Sequence, residues 1–463
     1  MRVVICGAGL VGFAIARYLA DSGNEVTVVD QRPELVRQIG ESLDIRTCLG
    51  HASLPSTLEE AGAAHAEMLI AVTHADEVNM IACQVAHSLF GVPIKIARVR
   101  QQDYLDPRWS DLFRREHLPI DVVISPEVEV AHAIALRLEV PGALNVVPFA
   151  DDRVRLVAVR LRPDTPILDT PLRQLTYLFP NLHLVCIGIV RGDQFFLPDA
   201  DDTLLVGDEV FFVVETAQLA MALPAFGVDP GRSERVVIVG AGNIGLYLAR
   251  ELEARFPGMD LKLIEADRGR AETAARQLRR AAVLCGDARD LESLREANVG
   301  SAEALVAVTN QDEVNVMSGL LAKYLGCGRA MALYNNPNYG RILYPIGIDI
   351  GINPRETTVS SILRHVRRGR IKAVHTLRDG EAEVYEAEAL EASPIIGRPL
   401  REQRFGRSIL IGAIVRRDER GKETVLRPTG DTVVLPHDRV VLAARSDAVR
   451  RVEQLFAVRA DVF

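Results

Sequence analysis

The chain has 463 residues, 48% hydrophobic and 25% charged, a globular composition on a length too great for one ordinary domain. Its 62 acidic against 54 basic side chains leave a formal charge of −8, which weighs against a nucleic-acid partner. Six scattered cysteines without a CxxC pair read as reduced thiols of a cytosolic protein. The glycine-broken N-terminus offers no signal peptide, and no uncharged apolar run approaches the roughly 20 residues that span a bilayer.

The first strand-like run, VVIC, leads into GAGLVG (residues 7–12) and a helical segment, FAIARYLA. In that context Gly7 is expected to make a tight turn, Gly9 to let the backbone approach a pyrophosphate, and Gly12 to let the helix pack closely on the strand. The anion would meet the unpaired N–H groups and positive end of that helix. The next strand, EVTVVD, ends at Asp30, where a carboxylate binds ribose hydroxyls and repels a 2′-phosphate. NAD or ATP is therefore favoured over NADP, with the nearby Arg32 acting against that preference.

Residues 67–91, EMLIAVTHADEVNMIACQVAHSLFG, read as a strand, then a helix. Thr73 and Asp76 have the form of a capping box at a strand's carboxyl end, where this kind of fold binds ligands. Arg98 follows the strand KIARV and could pair with phosphates. In IDVVISPEVEVAHAIALRL (120–138), Pro126 suits a first helical turn, and Ala131, Ile134, Ala135 and Leu138 form one apolar face. Residues 1–135 thus read as a doubly wound parallel sheet, a Rossmann-like α/β domain. Residues 141–220 change texture, with short runs such as RLVAVRL and VFFVVE between turns, and read as a small β-rich α+β domain. Residues 221–232, with two prolines and two glycines, are expected to be a linker.

The pattern then starts again. GAGNIG (240–245) repeats the glycine turn, LKLIEAD supplies Glu265, EALVAVTNQDEVNVMSGLLAKYLGC (303–327) repeats the AVT–DEVN block, and IDIGINPRETTVSSILRHV (348–366) repeats the Pro-led helix. The chain is a duplication, with a second Rossmann-like domain at 233–367 and a second β-rich domain at 371–455. Leu333 replaces Arg98, so the second site is expected to be less complete.

No acid–base residue for a dehydrogenase recurs in both halves: His51 and His74 are matched by Asp287 and Asn310. Cys83 and His87 have an i, i+4 metal spacing but no further ligand, so no metal is expected. The basic run RHVRRGR (364–370) is expected to complement a helix C-terminus.

Taken together, GAGLVG with Asp30, the two AVT–DEVN blocks, KIARV with Tyr104, the ISPE helix and GAGNIG with its sequel resemble the TrkA-type subunits of bacterial and archaeal potassium-uptake systems. That family carries two tandem RCK (regulator of potassium conductance) units, and the resemblance runs over essentially the full length. It implies a regulatory protein, not an enzyme, that binds NAD(H) and ATP or ADP. It implies a homotetramer, giving a gating ring of eight RCK units. The ring would dock on the inner face of the cell membrane, on a dimeric potassium-translocating subunit of the TrkH or TrkG type. By motif match the nucleotide contacts fall on Gly7, Ala8, Gly9, Leu10, Val11, Gly12, Asp30, His51, Ala52, Thr73, His74 and Arg98. The second set falls on Gly240, Ala241, Gly242, Asn243, Ile244, Gly245, Glu265, Asp287, Ala288 and Thr309. The family commonly has Asn or Asp after the glycine that follows the third strand. The second half keeps GDA (286–288), whereas the first has Gly50-His51-Ala52, and an imidazole there could alter which nucleotide is preferred. An NAD-dependent oxidoreductase and a nucleotide-sensing regulator of another transporter stay open as alternatives.

Overall fold

The computed structural model describes residues 1–21, 23–179, 182–229, 231, 233–366, 371–403, 405–418 and 420–457. Residues 367–370 of the basic run RHVRRGR lie outside the described residues. Strands β1 (Arg2–Cys6), β2 (Glu25–Asp30), β3 (Arg46–Leu49), β4 (Met68–Ala71), β5 (Ile94–Arg98) and β6 (Val122–Ile124) form a parallel sheet ordered β3-β2-β1-β4-β5-β6. An antiparallel sheet follows, from β7 (Ala143–Phe149), β8 (Val154–Arg160), β9 (Leu184–Arg191), β10 (Gln194–Phe196) and β11 (Glu209–Glu215), ordered β10-β9-β11-β8-β7. The second half repeats both. Strands β12 (Arg235–Val239), β13 (Asp260–Glu265), β14 (Ala282–Cys285), β15 (Ala304–Ala307), β16 (Ala330–Leu333) and β17 (Ile350–Ile352) take the order β14-β13-β12-β15-β16-β17. Strands β18 (Ile371–Leu377), β19 (Ala382–Glu388), β20 (Ile409–Arg417), β21 (Glu423–Leu426) and β22 (Arg439–Arg445) take the order β18-β19-β22-β20-β21. The fold class is the one expected: two Rossmann-like domains, each followed by a β-rich domain.

The described residues group into two compact units: those of 1–132 with 237–366, and those of 133–236 with 371–457. The first unit therefore unites both Rossmann-like domains. Its central strands, such as β1, β4, β12 and β15, are runs of Val, Ile, Leu and Ala because helices cover both faces of each sheet there. The helix Leu10–Asp21 buries Gly12, Ile15, Ala16 and Leu19, an i, i+3, i+4, i+7 stripe.

The last helix of each half crosses to the other half. The helix Pro354–Val366 inserts Val359, Ile362 and Leu363 beside Ile15 and Leu19 of the first half. Burying Ile362 and Leu363 contributes about 1.5–3 kcal/mol each. In return the helix Pro126–Glu139 meets the second-half helix Asn243–Arg255, with His132 Nδ1 2.9 Å from Glu251 Oε1.

In the second unit the two antiparallel sheets share one core, from Leu156, Ile187 and Val213 on one side to Val384, Ala413 and Val441 on the other. They approach so closely at Gly412 that a Cβ there would stand 3.1 Å from Ile187 and Val213. Each domain also repeats one buried clamp: Asp208 accepts from Arg191 and the Leu205 N–H, and Asp438 from Arg416 and the Leu435 N–H. The expected linker at 221–232 needs correction. Ala222, Leu223, Ala225, Phe226 and Val228 belong to the core of the first β-rich domain, and Phe226 stacks on Phe212 with centroids 4.2 Å apart. Proline and glycine there bound a short 3-10 helix, Leu223–Phe226, rather than free the chain: Pro224 stands in its first turn, and Gly227 ends it at φ +70°.

Candidate functional site

Both glycine turns open on one cleft of about 930 Å³, within the range of small-molecule sites. Gly7 sits at φ +112° and Gly240 at φ +104°, where a side chain is strained. A Cβ on Gly12 would lie 1.8 Å from the Gly7 carbonyl oxygen, and one on Gly245 1.9 Å from that of Gly240, so only hydrogen fits. Gly9 and Gly242 line the cleft, and nothing lies within 4 Å of where their Cβ would be.

Behind each turn an acid fixes the loop. The Ala8 N–H donates to Asp30 Oδ2 at 2.7 Å, and the Ala241 N–H to Glu265 Oε2 at 2.8 Å. The other oxygen of each acid accepts from a backbone N–H two residues on, from Arg32 and from Asp267, both at 2.9 Å. Arg270 adds a 2.8 Å bond to Glu265. An ionised carboxyl has about four acceptor positions, so both acids retain capacity for hydroxyl donors.

The AVT–DEVN block is built differently from the expected capping box. The helices start at Asp76 and Asp312 with Ala75 and Gln311 as caps, and no side chain caps either one. Thr73 stands too far before the helix to cap it. Its hydroxyl instead donates to Asn79 Oδ1 at 2.7 Å, which also accepts from the Thr73 N–H at 2.9 Å. Asn79 Nδ2 donates to the carbonyls of Thr73 and Arg98. Asn315 makes the same four bonds, to Thr309 and Leu333. Asp76 turns away from its own helix start to accept from the N–H groups of Arg100 and Gln101, and Asp312 from those of Asn335 and Asn336. Each DEVN block thus ties the threonine loop to the end of the next strand.

Arg98 Nη2 donates to the Thr73 carbonyl at 2.8 Å, while its buried Nε has no partner. Burial, with Arg100 close by, pulls the Arg98 pKa below the ordinary guanidinium value, an environment that an anion would relieve. Arg100 itself pairs with the buried Glu127 at 2.9 Å. In the second half Leu333 leaves the Arg98 position apolar, but Arg270, Arg289 and Arg355 line the same cleft, so it has cations at other places. At the exits of β3 and β14 the halves differ again. His51 Nδ1 lies 2.8 Å from Ser53 Oγ, whereas the Arg289 guanidinium on Asp287 holds that carboxyl below the usual range.

Of the residues expected from sequence, Gly7, Gly9, Leu10, Val11, Asp30, His51, Ala52, Thr73, His74 and Arg98 line the cleft. So do Gly240, Gly242, Asn243, Ile244, Glu265, Asp287, Ala288 and Thr309. Ala8, Gly12, Ala241 and Gly245 do not line it; they build the turns behind it. Sequence reasoning missed Arg100, Glu127 and Arg355 in the lining, and Asn79 and Asn315 beneath it. Cys83 is buried, and burial pushes its thiol pKa far above the ordinary value. No group of three or more His, Cys, Asp or Glu suited to a metal occurs among the described residues. No helix among them is long and apolar enough to cross a membrane.

Residues 3–126 and 236–354 match the TrkA-N domain, and residues 156–227 and 384–457 the TrkA-C domain. The chain is 48% identical over 463 residues, the whole of both chains, to the Trk system potassium uptake protein TrkA of Azorhizobium caulinodans. It is 40% identical over 462 residues, 99% of each chain, to that of Halomonas elongata. Its fold is similar to the crystal structure of the GsuK RCK domain, with a TM-score of 0.60 at 19% identity over 99% of this chain and 95% of that one. A structure of the GsuK channel bound to NAD gives a TM-score of 0.60 at 20% identity over 99% of this chain and 79% of that one. Two TrkA-N and two TrkA-C domains in tandem, with full-length relatives at this identity, establish that the chain belongs to the TrkA family of Trk system potassium uptake proteins.

Proposed function

We propose that this chain is the nucleotide-binding regulatory subunit of a potassium-uptake system and has no catalytic role of its own. The observation that carries this reading is the pair of glycine turns on one cleft, each with an open phosphate approach at Gly9 or Gly242 and an acid with free acceptor capacity at Asp30 or Glu265. NAD(H) and ATP or ADP are the ligands. The phosphates sit on the helix N-termini at Leu10 and Asn243, the first set reaching Arg98, and the ribose hydroxyls sit on the acids. The subunit assembles as a homotetramer on the cytosolic face of a dimeric potassium-translocating membrane protein of the TrkH or TrkG type. A nucleotide that binds one form of the assembly more tightly shifts it toward that form, by typically 1–3 kcal/mol per coupled site.

Titration calorimetry of the full chain with ATP, ADP, NAD+ and NADH tests the reading. We expect binding without turnover, and a loss of at least about 10-fold in first-site affinity in Asp30→Ala, matching one charge-assisted hydrogen bond. Turnover of NADH would favour an oxidoreductase instead. No binding of any of the four would leave the Rossmann-like domains as scaffolds.

A further inference from the structure

The two halves present opposite hydrogen-bonding characters at one matched position. A nucleotide lies phosphate, ribose, base, and the sheet offers seats for these in the same order on neighbouring strands about 4.8 Å apart. The turn after β1 is the phosphate seat, the acid ending β2 the ribose seat, and the exit of β3 the base seat. The exit of β3 carries His51, and that of β14 carries Asp287; both line the cleft.

The hydrogen-bonding role of His51 Nδ1 is set by its neighbour. The Ser53 backbone N–H, which can only donate, points at His51 Nδ1 at 3.4 Å, and the Ser53 hydroxyl lies 2.8 Å from the same atom. Nδ1 is therefore the acceptor, and the ring proton sits on Nε2. The base seat of the first half offers a donor. Asp287 is the reverse. Its carboxylate takes the backbone N–H, Nε and Nη2 of Arg289 at 2.6–3.0 Å, which orients it and spends that face of the guanidinium. An ionised carboxylate only accepts.

We propose that the two seats select different purines. The second favours a 6-amino group, which donates to Asp287, over a 6-oxo group, which like the carboxylate only accepts. The first admits a 6-oxo group, which accepts from His51. This rests on the nucleotide reading above and adds base selectivity to it.

The test uses full-length chains with one phosphate seat filled. Gly9→Val and Gly242→Val each place a Cβ where nothing lies within 4 Å and extend it into the phosphate approach, so each blocks one seat. Calorimetry compares ATP with ITP, and NADH with its hypoxanthine analogue. The chain carrying Gly9→Val, with only the second seat open, should prefer the 6-amino ligand by about 30-fold, the worth of one hydrogen bond to a charged group. The chain carrying Gly242→Val, with only the first seat open, should bind the two within about 3-fold of each other or favour the 6-oxo ligand. Adding Asp287→His to Gly9→Val should erase the 30-fold preference, and adding His51→Asp to Gly242→Val should create one. Equal discrimination by both seats, or a preference that survives Asp287→His, overturns the proposal while leaving nucleotide binding intact. Failure of all four nucleotides to bind the unmodified chain overturns the nucleotide reading, and the proposal with it.

Discussion

Replacing Gly12 by alanine is expected to destabilise the first Rossmann-like domain by about 3 kcal/mol or more and to abolish nucleotide binding there. The new Cβ would stand 1.8 Å from the Gly7 carbonyl oxygen and 2.9 Å from its carbon, both backbone atoms of the turn itself. Relief requires the helix Leu10–Asp21 to withdraw or the turn to open. Either movement takes the helix N–H groups away from the phosphate seat. Gly245→Ala should act alike on the second half, where the gap is 1.9 Å. Gly9→Ala is the control: with nothing within 4 Å of its Cβ, its midpoint without ligand should stay within about 1 °C of the parent, since substitutions that disturb no packing generally change little. Scanning calorimetry with and without ATP checks all three. A Gly12→Ala chain that melts with the parent would mean that the helix does not pack on the strand as described.

Asn79→Ala is the second large effect. Asn79 is fully buried and satisfies the N–H, hydroxyl and carbonyl of Thr73 and the carbonyl of Arg98. Truncation takes the partner from the Thr73 N–H and the Arg98 carbonyl, while the Thr73 carbonyl keeps Arg98 Nη2 and its hydroxyl keeps the Ala75 carbonyl, at about 2–4 kcal/mol in all. At 2–4 °C per kcal/mol for a unit of this size, the melting midpoint should fall by about 10 °C. The change also unties the Thr73 loop from the end of β5, so ATP affinity in the first seat should drop more than the stability loss alone explains. Asn315→Ala should cost similar stability. It should leave the first seat's affinity unchanged, because its bonds run to Thr309 and Leu333. A midpoint within about 2 °C of the parent in either variant would contradict the role given to these asparagines.

The duplication, the two sheet types and most of the cleft lining were legible in the sequence because they follow from local rules. A parallel strand buried on both faces must be a run such as VVIC or ALVA, and the glycine spacing admits few structures. What was missed depends on contacts distant in sequence. Thr73 and Asp76 have the spacing of a capping box, but Asp76 is drawn to the N–H groups of Arg100 and Gln101 on the neighbouring strand's exit. The repeated asparagine of DEVN was in plain view, yet nothing local says that it bridges a loop and a strand end. Residues 222–228 look like a linker by proline and glycine content, while their apolar side chains complete a core formed by strands earlier in the chain. The helix Pro354–Val366 was legible as a repeat of the first Pro-led helix; which half receives it was not, since its own and the other half would demand the same spacing.

That exchange of helices bears on how such a protein could arise and change. A chain ending after the helix Pro126–Glu139 would bare Ile15 and Leu19 and carry a helix with nowhere to lie. Two copies could complete each other by trading helices around a two-fold axis, a self-complementary arrangement in which every substitution appears twice. Joining the copies in one chain removes that constraint. Each cleft position can then drift alone, and the drift is visible where the same helix start carries Glu127 in one copy and Arg355 in the other. Broken symmetry gives a single cleft two unlike sets of side chains, which is what two ligands of different kinds would need.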